Sequence, residues 1–215
     1  MDSPPVLRRS TRRRSAAPPA PPEPTRGALT REAWTEAATE VLVDQGIDHV
    51  RVDVLSKQLG VTRGSFYWHF KDREELLRSV LQAWRERATE QLTQRLERAR
   101  DDAHDQLRDV LSLPFRGRAA RRGARIELAI RAWARRDELA RHAVDEADAA
   151  RIGYIAQIFS ALGFPIAEAR HRAFITYAHV VAESVMPGQG GPAALGQRQE
   201  RTKLFEALML ASLGG

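Results

Sequence analysis

Residues 60–77, GVTRGSFYWHFKDREELL, constrain the fold more than any other stretch. Gly60, Val61 and Thr62 are all that separates two helical patterns, one over residues 50–59 and one over 62–70. A three-residue join carrying a glycine has the length and chemistry of a helix-turn-helix. Relative to Thr62, at about 100° per residue, Phe66 falls at about 40° and Phe70 at about 80°, on one face. Trp68 falls at about 240°, opposite them. Phe66 and Phe70 therefore read as core anchors, with Trp68 turned outward beside Gly64, Ser65 and Tyr67. Residues 54–71 hold no acidic side chain and carry Lys57, Arg63 and Lys71, whereas residues 27–75 hold six basic against nine acidic residues. Positive charge is thus sorted onto one motif, as a helix entering a DNA major groove requires. The competing reading is a buried aromatic turn in an enzyme or bundle. The outward tryptophan and the charge sorting argue against it.

The rest of the chain is helical in pattern from Leu29 onward. No alternating β-branched run appears, so the sequence predicts an all-α fold of about nine helices. Residues 28–45 carry Trp34, Ala37, Ala38, Val41 and Leu42 on one stripe, with Thr30 as a cap and Gly46 as a stop. Asp72 and Glu75 have capping-box spacing and open a long fourth helix over 73–100, with Leu77, Leu81, Trp84, Ala88, Leu92 and Leu96 as its stripe. A fifth helix over 103–113 is closed by Pro114. FRGRAARRG reads as a basic loop before a sixth helix over 125–135. A seventh covers 137–163 and an eighth 165–186, with Pro165 at its first position. PGQGGPAALGQ reads as a connector before a ninth helix over 199–213.

The chain of 215 residues carries a net charge of +6, of which residues 1–26 supply +4 through six arginines against Asp2 and Glu23. That Arg- and Pro-rich segment has almost no large apolar residue and reads as a disordered basic tail. It serves either as a cationic arm for phosphates or as a solvated extension without a role. There is no cysteine, which excludes disulfides and thiolate metal sites. That is compatible with the cytoplasm, the expected location. No apolar run approaches the length of a bilayer span, and no membrane partner is expected.

Residues 55–77 resemble the DNA-binding signature of the TetR family of bacterial repressors. The likeness rests on Gly60, Val61, Thr62 in place of Ser, Gly64, Phe66 in place of Leu, Tyr67, His69, Phe70 and Leu76. It covers about residues 29–80 strongly. The resemblance implies a DNA-binding domain over 27–72 and a helical ligand-binding and dimerisation domain over 73–215. By position, it implies that Thr62 and Lys71 hold phosphates and that Tyr67 and His69 contact the backbone. Arg63 and Ser65 would read base edges, Trp68 would pack on sugar or a thymine methyl, and Gly64 would allow close approach. Two departures stand out. Val50 and Arg51 occupy the places of a usual hydroxyl pair, with Arg51 left to reach a phosphate itself. Glu74 replaces a usual lysine, with Arg73 adjacent.

Helices 8 and 9 are apolar on several sides, which suits packing within one subunit and against a second copy. The expected partners are double-stranded operator DNA, a homodimer through these two helices, and an unknown small-molecule effector. Candidate pocket residues are Trp84, Arg131, Trp133, Tyr154, Phe174 and Tyr177, each of which also suits plain core packing. Glu127 with Arg131, and His179 with Glu183, have the i, i+4 spacing of local pairs. No HExxH, G-x-S-x-G or P-loop occurs, so neither enzyme, metal site nor cofactor is expected. The reading is a ligand-responsive regulator, most simply a repressor. The alternatives are an activator, or an architectural DNA-binding protein without a ligand.

Overall fold

The computed structural model describes residues 29–97, 102–186 and 191–211. The basic tail, the end of the fourth helix and Leu213 lie outside them, as do the side chains of Ala88, Leu92 and Leu96. Among the described residues the regular elements are helices: α1 (Arg31–Gln45), α2 (Val52–Leu59), α3 (Arg63–Tyr67), α4 (Arg73–Glu97), α5 (Ala103–Ser112), α6 (Gly117–Ala134), α7 (Glu138–Ala161), α8 (Ile166–Val185) and α9 (Gly191–Leu210). Single 3-10 turns at Ile47–His49 and Leu113–Phe115 complete the set.

Local chemistry sets most boundaries. Thr30 Oγ1 accepts from the Ala33 amide at 3.2 Å and starts α1. Gly46, at φ 87°, ends it with its amide on the Leu42 carbonyl. Asp72 accepts from the Glu75 amide at 2.8 Å, while the Glu75 carboxylate reaches the Lys71 amide at 2.8 Å. The capping box that opens α4 is therefore closed one residue further back than the usual reciprocal pair. Asp137 caps α7 through the Ala140 amide.

Several boundaries differ from the sequence expectation; α3 ends at Tyr67 and not at Phe70, with Trp68 as its C-cap. The basic stretch at 117–124 is the first half of α6, not a loop. Its alanines and arginines are strong helix formers, and Arg122 finds two acidic partners, Glu36 and Glu40, on α1. Residues 191–197 belong to α9 instead of a connector. Pro192 falls in the first turn, where no amide bond is needed, and Ala193, Ala194 and Leu195 favour a helix. Pro165 sits at the N-cap of α8, one position before the one expected.

Two hydrophobic clusters form the interior. The first joins α1–α4 to α6 and the first half of α7, from Trp34, Leu55, Phe66 and Phe70 through Leu77 and Val80 to Ile130, Trp133 and Ala147. The second joins α5, the second half of α7 and α8, with α9 packed on it, around Leu107, Ile158, Phe159 and Ala173. The core thus passes from the helix-turn-helix head into the body without a break at residue 72. Among the described residues no helix is long and apolar enough to cross a membrane.

Candidate nucleic-acid interface and body interior

The turn between α2 and α3 follows from Gly60. Its φ of 68° is left-handed, which places the Val61 amide on the Ser56 carbonyl at 3.0 Å and caps α2. A side chain here would be strained. Phe66 and Phe70 are buried to within 1%. Phe66 meets Trp34 edge-on at 5.3 Å and stacks on Phe70 at 5.4 Å. These contacts fix the roll of α3. The opposite face then points to solvent, with Trp68 88% and Tyr67 59% exposed.

Around that face lie the other candidates. Thr62 is the N-cap of α3, yet its hydroxyl makes no cap bond. A Cβ added at Gly64 would meet only the Thr62 hydroxyl at 3.7 Å, an ordinary contact. Nothing within the fold demands glycine there. Arg63 and Lys71 are exposed, and Ser65 and His69 are half-buried. Arg51 stands at the N-cap of α2 and is held in a fork by Asp53, at 3.1 and 2.7 Å. That fork holds the Asp53 carboxyl below its usual range.

Two residues outside the candidate set orient this surface. Arg31 donates to the His69 carbonyl at 2.5 Å, to Glu75 at 2.8 Å and to Ser79 at 3.0 Å. Its guanidinium lies 4.2 Å above the Phe70 ring. It ties the end of α3 to α1 and α4. Arg73 donates to the carbonyls of Val50 at 2.5 Å and Ile47 at 2.8 Å, so its charge secures the loop before α2. A cation in the first turn of α4 opposes the helix dipole, and that unfavourable placement was the one local signal of a partner elsewhere.

In the body, Trp84, Arg131 and Tyr177 come together. Arg131 binds Glu127 at 3.0 Å, Asp148 at 2.9 and 2.6 Å, and the Tyr177 hydroxyl at 3.0 Å. Arg151 binds Glu127 and donates to the same hydroxyl at 3.0 Å. Tyr177 in turn donates to Asp148 at 2.6 Å, and the Trp84 indole donates to Glu127 at 3.3 Å. The Arg151 guanidinium sits 5.6 Å over the Trp84 ring. Burial pushes the Tyr177 phenol up to about 12. Two cations and two anions thus cancel at a junction of α4, α6, α7 and α8. The Glu127–Arg131 spacing was visible in sequence. Asp148 and Arg151 were not singled out, although their i, i+3 spacing on α7 was a weak signal.

The other pocket candidates lie elsewhere. Trp133 is buried in the first cluster and Tyr154 in the second. Phe174 is 62% exposed and does not reach the junction. α8 packs inward through Ala169, Ala173, Thr176 and Val180, and Phe174 falls one residue past that stripe. Glu183 does not pair with His179. It takes Arg198 at 3.0 Å and Arg201 at 2.5 Å, joining α8 to α9. His179 instead stacks on Phe205 at 4.0 Å.

An outward aromatic and basic α3 held by a glycine turn, on an all-helical body, defines a helix-turn-helix protein with an appended helical domain. Residues 35–80 match the family model for bacterial regulatory proteins of the tetR family. The TetR-family likeness therefore holds for the helix-turn-helix head. It is 44% identical over 52 residues to the HTH-type transcriptional regulator SrpR of Pseudomonas putida, a match that spans 24% of this chain and 24% of that relative. The body is thus outside the matched quarter. Beyond the head the likeness is one of fold. A transcriptional regulator from Rhodococcus sp. Rha1 superposes with a TM-score of 0.68 at 20% identity, over 85% of this chain and 96% of that one. A regulator from Saccharomonospora viridis, solved with choline, gives 0.68 at 19% identity over 82% and 95%.

Proposed function

We propose that the protein is a transcriptional regulator, most simply a repressor, that binds a palindromic operator as a homodimer and is released by a small molecule. The observation that carries this reading is the α3 surface. Trp68 is 88% and Tyr67 59% exposed, opposite the fully buried Phe66 and Phe70, within an acid-free stretch of an otherwise acidic head. Thr62 and Lys71 serve as phosphate contacts, Tyr67 and His69 as backbone contacts, and Arg63 and Ser65 as base readers. Gly64 leaves room for the DNA, and Trp68 packs on sugar or a thymine methyl. Arg51 reaches a phosphate only by leaving Asp53.

Selection of the full chain against random duplex DNA at physiological salt tests the reading. An enriched inverted repeat supports it. Absence of any enriched sequence rejects it. With that site in hand, Arg63→Ala is expected to lose discrimination at one base pair by about 1–3 kcal/mol. Competition between the selected site and its single-base variants measures this. An equal loss on random DNA would remove Arg63 from base reading.

The dimer is proposed through α8 and α9. Ile166, Phe174 and Ile175 on α8, and Leu204 and Leu208 on α9, are between 47% and 62% exposed. A patch of this kind on two adjacent helices fits a self-complementary four-helix interface. The double variant Phe174→Glu/Leu204→Glu is expected to sediment as a monomer with unchanged helix content and to lose operator affinity by tenfold or more. A dimer that persists places the interface elsewhere.

The effector is proposed to act at the junction of Trp84, Arg131 and Tyr177. There a ligand that rearranges the ion pairs would alter how α4 carries the head. A second reading, regulation without a ligand, is favoured by the same junction, because its charges already satisfy one another. A compound that releases the selected DNA from wild type but not from Tyr177→Phe decides for the first.

A further inference from the structure

The seam between the head and α6 holds a second feature, separate from the body junction. Glu36, Glu40 and Asp44 lie four residues apart on one face of α1. Arg122 from α6 reaches both glutamates, and Arg125 takes Asp44 at 2.7 Å. Just past this last ion pair the seam opens into a cleft of about 820 Å³. Its volume lies within the range of small-molecule sites. One wall is the end of α1 and the following 3-10 turn. The other is the second half of α6.

The floor is apolar, formed by Leu42, Ile47, Leu128 and Trp133. Leu128 is 45% exposed, a large side chain left uncovered beside the head. At the rim stand three guanidiniums, Arg125, Arg135 and Arg136, against the single carboxylate of Asp48. Arg125 is engaged by Asp44, whereas Arg135 and Arg136 are both exposed at the end of α6. The α6 carboxyl end contributes about half a negative charge, less than either guanidinium. An apolar floor with surplus planar cations at one edge matches an apolar body bearing one acidic group.

We infer that this cleft binds an amphipathic organic anion, a carboxylate or sulfonate on a short-chain or flat aromatic body. Its acid group sits on Arg135 and Arg136 and its apolar part on Leu128 and Trp133. Because the walls belong to different parts of the molecule, an occupant sets the spacing of α1 from α6. It competes with Asp44 for Arg125 and loosens the ion pairs that hold the head.

Binding of 1-anilinonaphthalene-8-sulfonate to the full chain, followed by its fluorescence, tests the site. Sodium decanoate is expected to displace the probe and decyltrimethylammonium is not. Arg135→Glu/Arg136→Glu is expected to weaken binding by tenfold or more, and Ala132→Trp to block the cleft. All three positions are exposed, so helix content and unfolding midpoint serve as fold controls. Asp44→Asn frees Arg125 and is expected to tighten binding about threefold, a gain that general surface stickiness would not produce. Binding that ignores the arginine changes, or displacement by the cationic detergent as readily as by decanoate, overturns the assignment. So does unchanged or weaker binding to Asp44→Asn.

Discussion

Phe66→Ala is expected to lower folding stability by about 3–5 kcal/mol. Truncation of a fully buried phenylalanine removes its transfer free energy and leaves a cavity that the neighbours fill only in part. Here those neighbours are Trp34, set edge-on, and Phe70, stacked, and both are themselves fully buried. Neither has room to relax. The loss is a large share of the 5–15 kcal/mol that typically holds a domain together. Because the same cluster continues into α6 and α7, the urea midpoint of the whole first cluster is expected to fall, not that of the head alone. DNA affinity is expected to fall with it, since the roll of α3 depends on this side chain. Trp68→Ala, two residues away, supplies the contrast. It is expected to stay within about 0.5 kcal/mol of wild type in stability while losing DNA affinity. Equal destabilisation by the two would mean that α3 does not present the faces described.

Glu127→Ala is expected to cost about 2–3 kcal/mol. Breaking a fully buried ion pair costs roughly 3–5 kcal/mol, because the partner is left charged and unpaired. The side chains of Arg131 and Arg151 are 27% and 21% exposed, so water recovers part of that penalty. The variant leaves two guanidiniums to share Asp148, and the Trp84 indole loses its acceptor. The second substitution Arg151→Ala removes the surplus charge and leaves the two-point Arg131–Asp148 pair intact. The double variant is therefore expected to be less destabilised than the sum of the singles by about 1 kcal/mol or more. A chemical-denaturation cycle over the four proteins measures it. Strict additivity would mean that the junction is a set of separate pairs and not one network.

How much of this was legible in the sequence depends on how far apart the partners lie. The opposite faces of α3 follow from helical periodicity over five residues, and the structure bears out Phe66, Phe70 and Trp68 alike. Thr30, Gly46, Gly60 and Asp72 act within four residues of themselves, and each ends or begins a helix as expected. Arg31 and Arg73 bind groups 38–48 and 23–26 residues away, and no local rule names those partners. The basic stretch at 117–124 shows the same limit. Its composition suits a loop as well as a helix, and Arg122 meets Glu36 and Glu40 on the acidic face of α1, 86 and 82 positions earlier, which favours the helix.

The sequence by itself determined that the chain is helical, that α2 and α3 form a glycine-turned pair, and that an aromatic and basic face looks outward. Each rests on periodicity, capping and turn chemistry, which act within a few residues. Only the tertiary structure decided which interior residues meet. It put Trp84, Arg131 and Tyr177 together with Asp148 and Arg151, and sent Phe174 to the surface. It also joined the head to the body through one continuous core and an ionic seam. Those outcomes depend on which helix packs on which. Packing sums many weak contacts between distant segments, and no short stretch of sequence carries that sum.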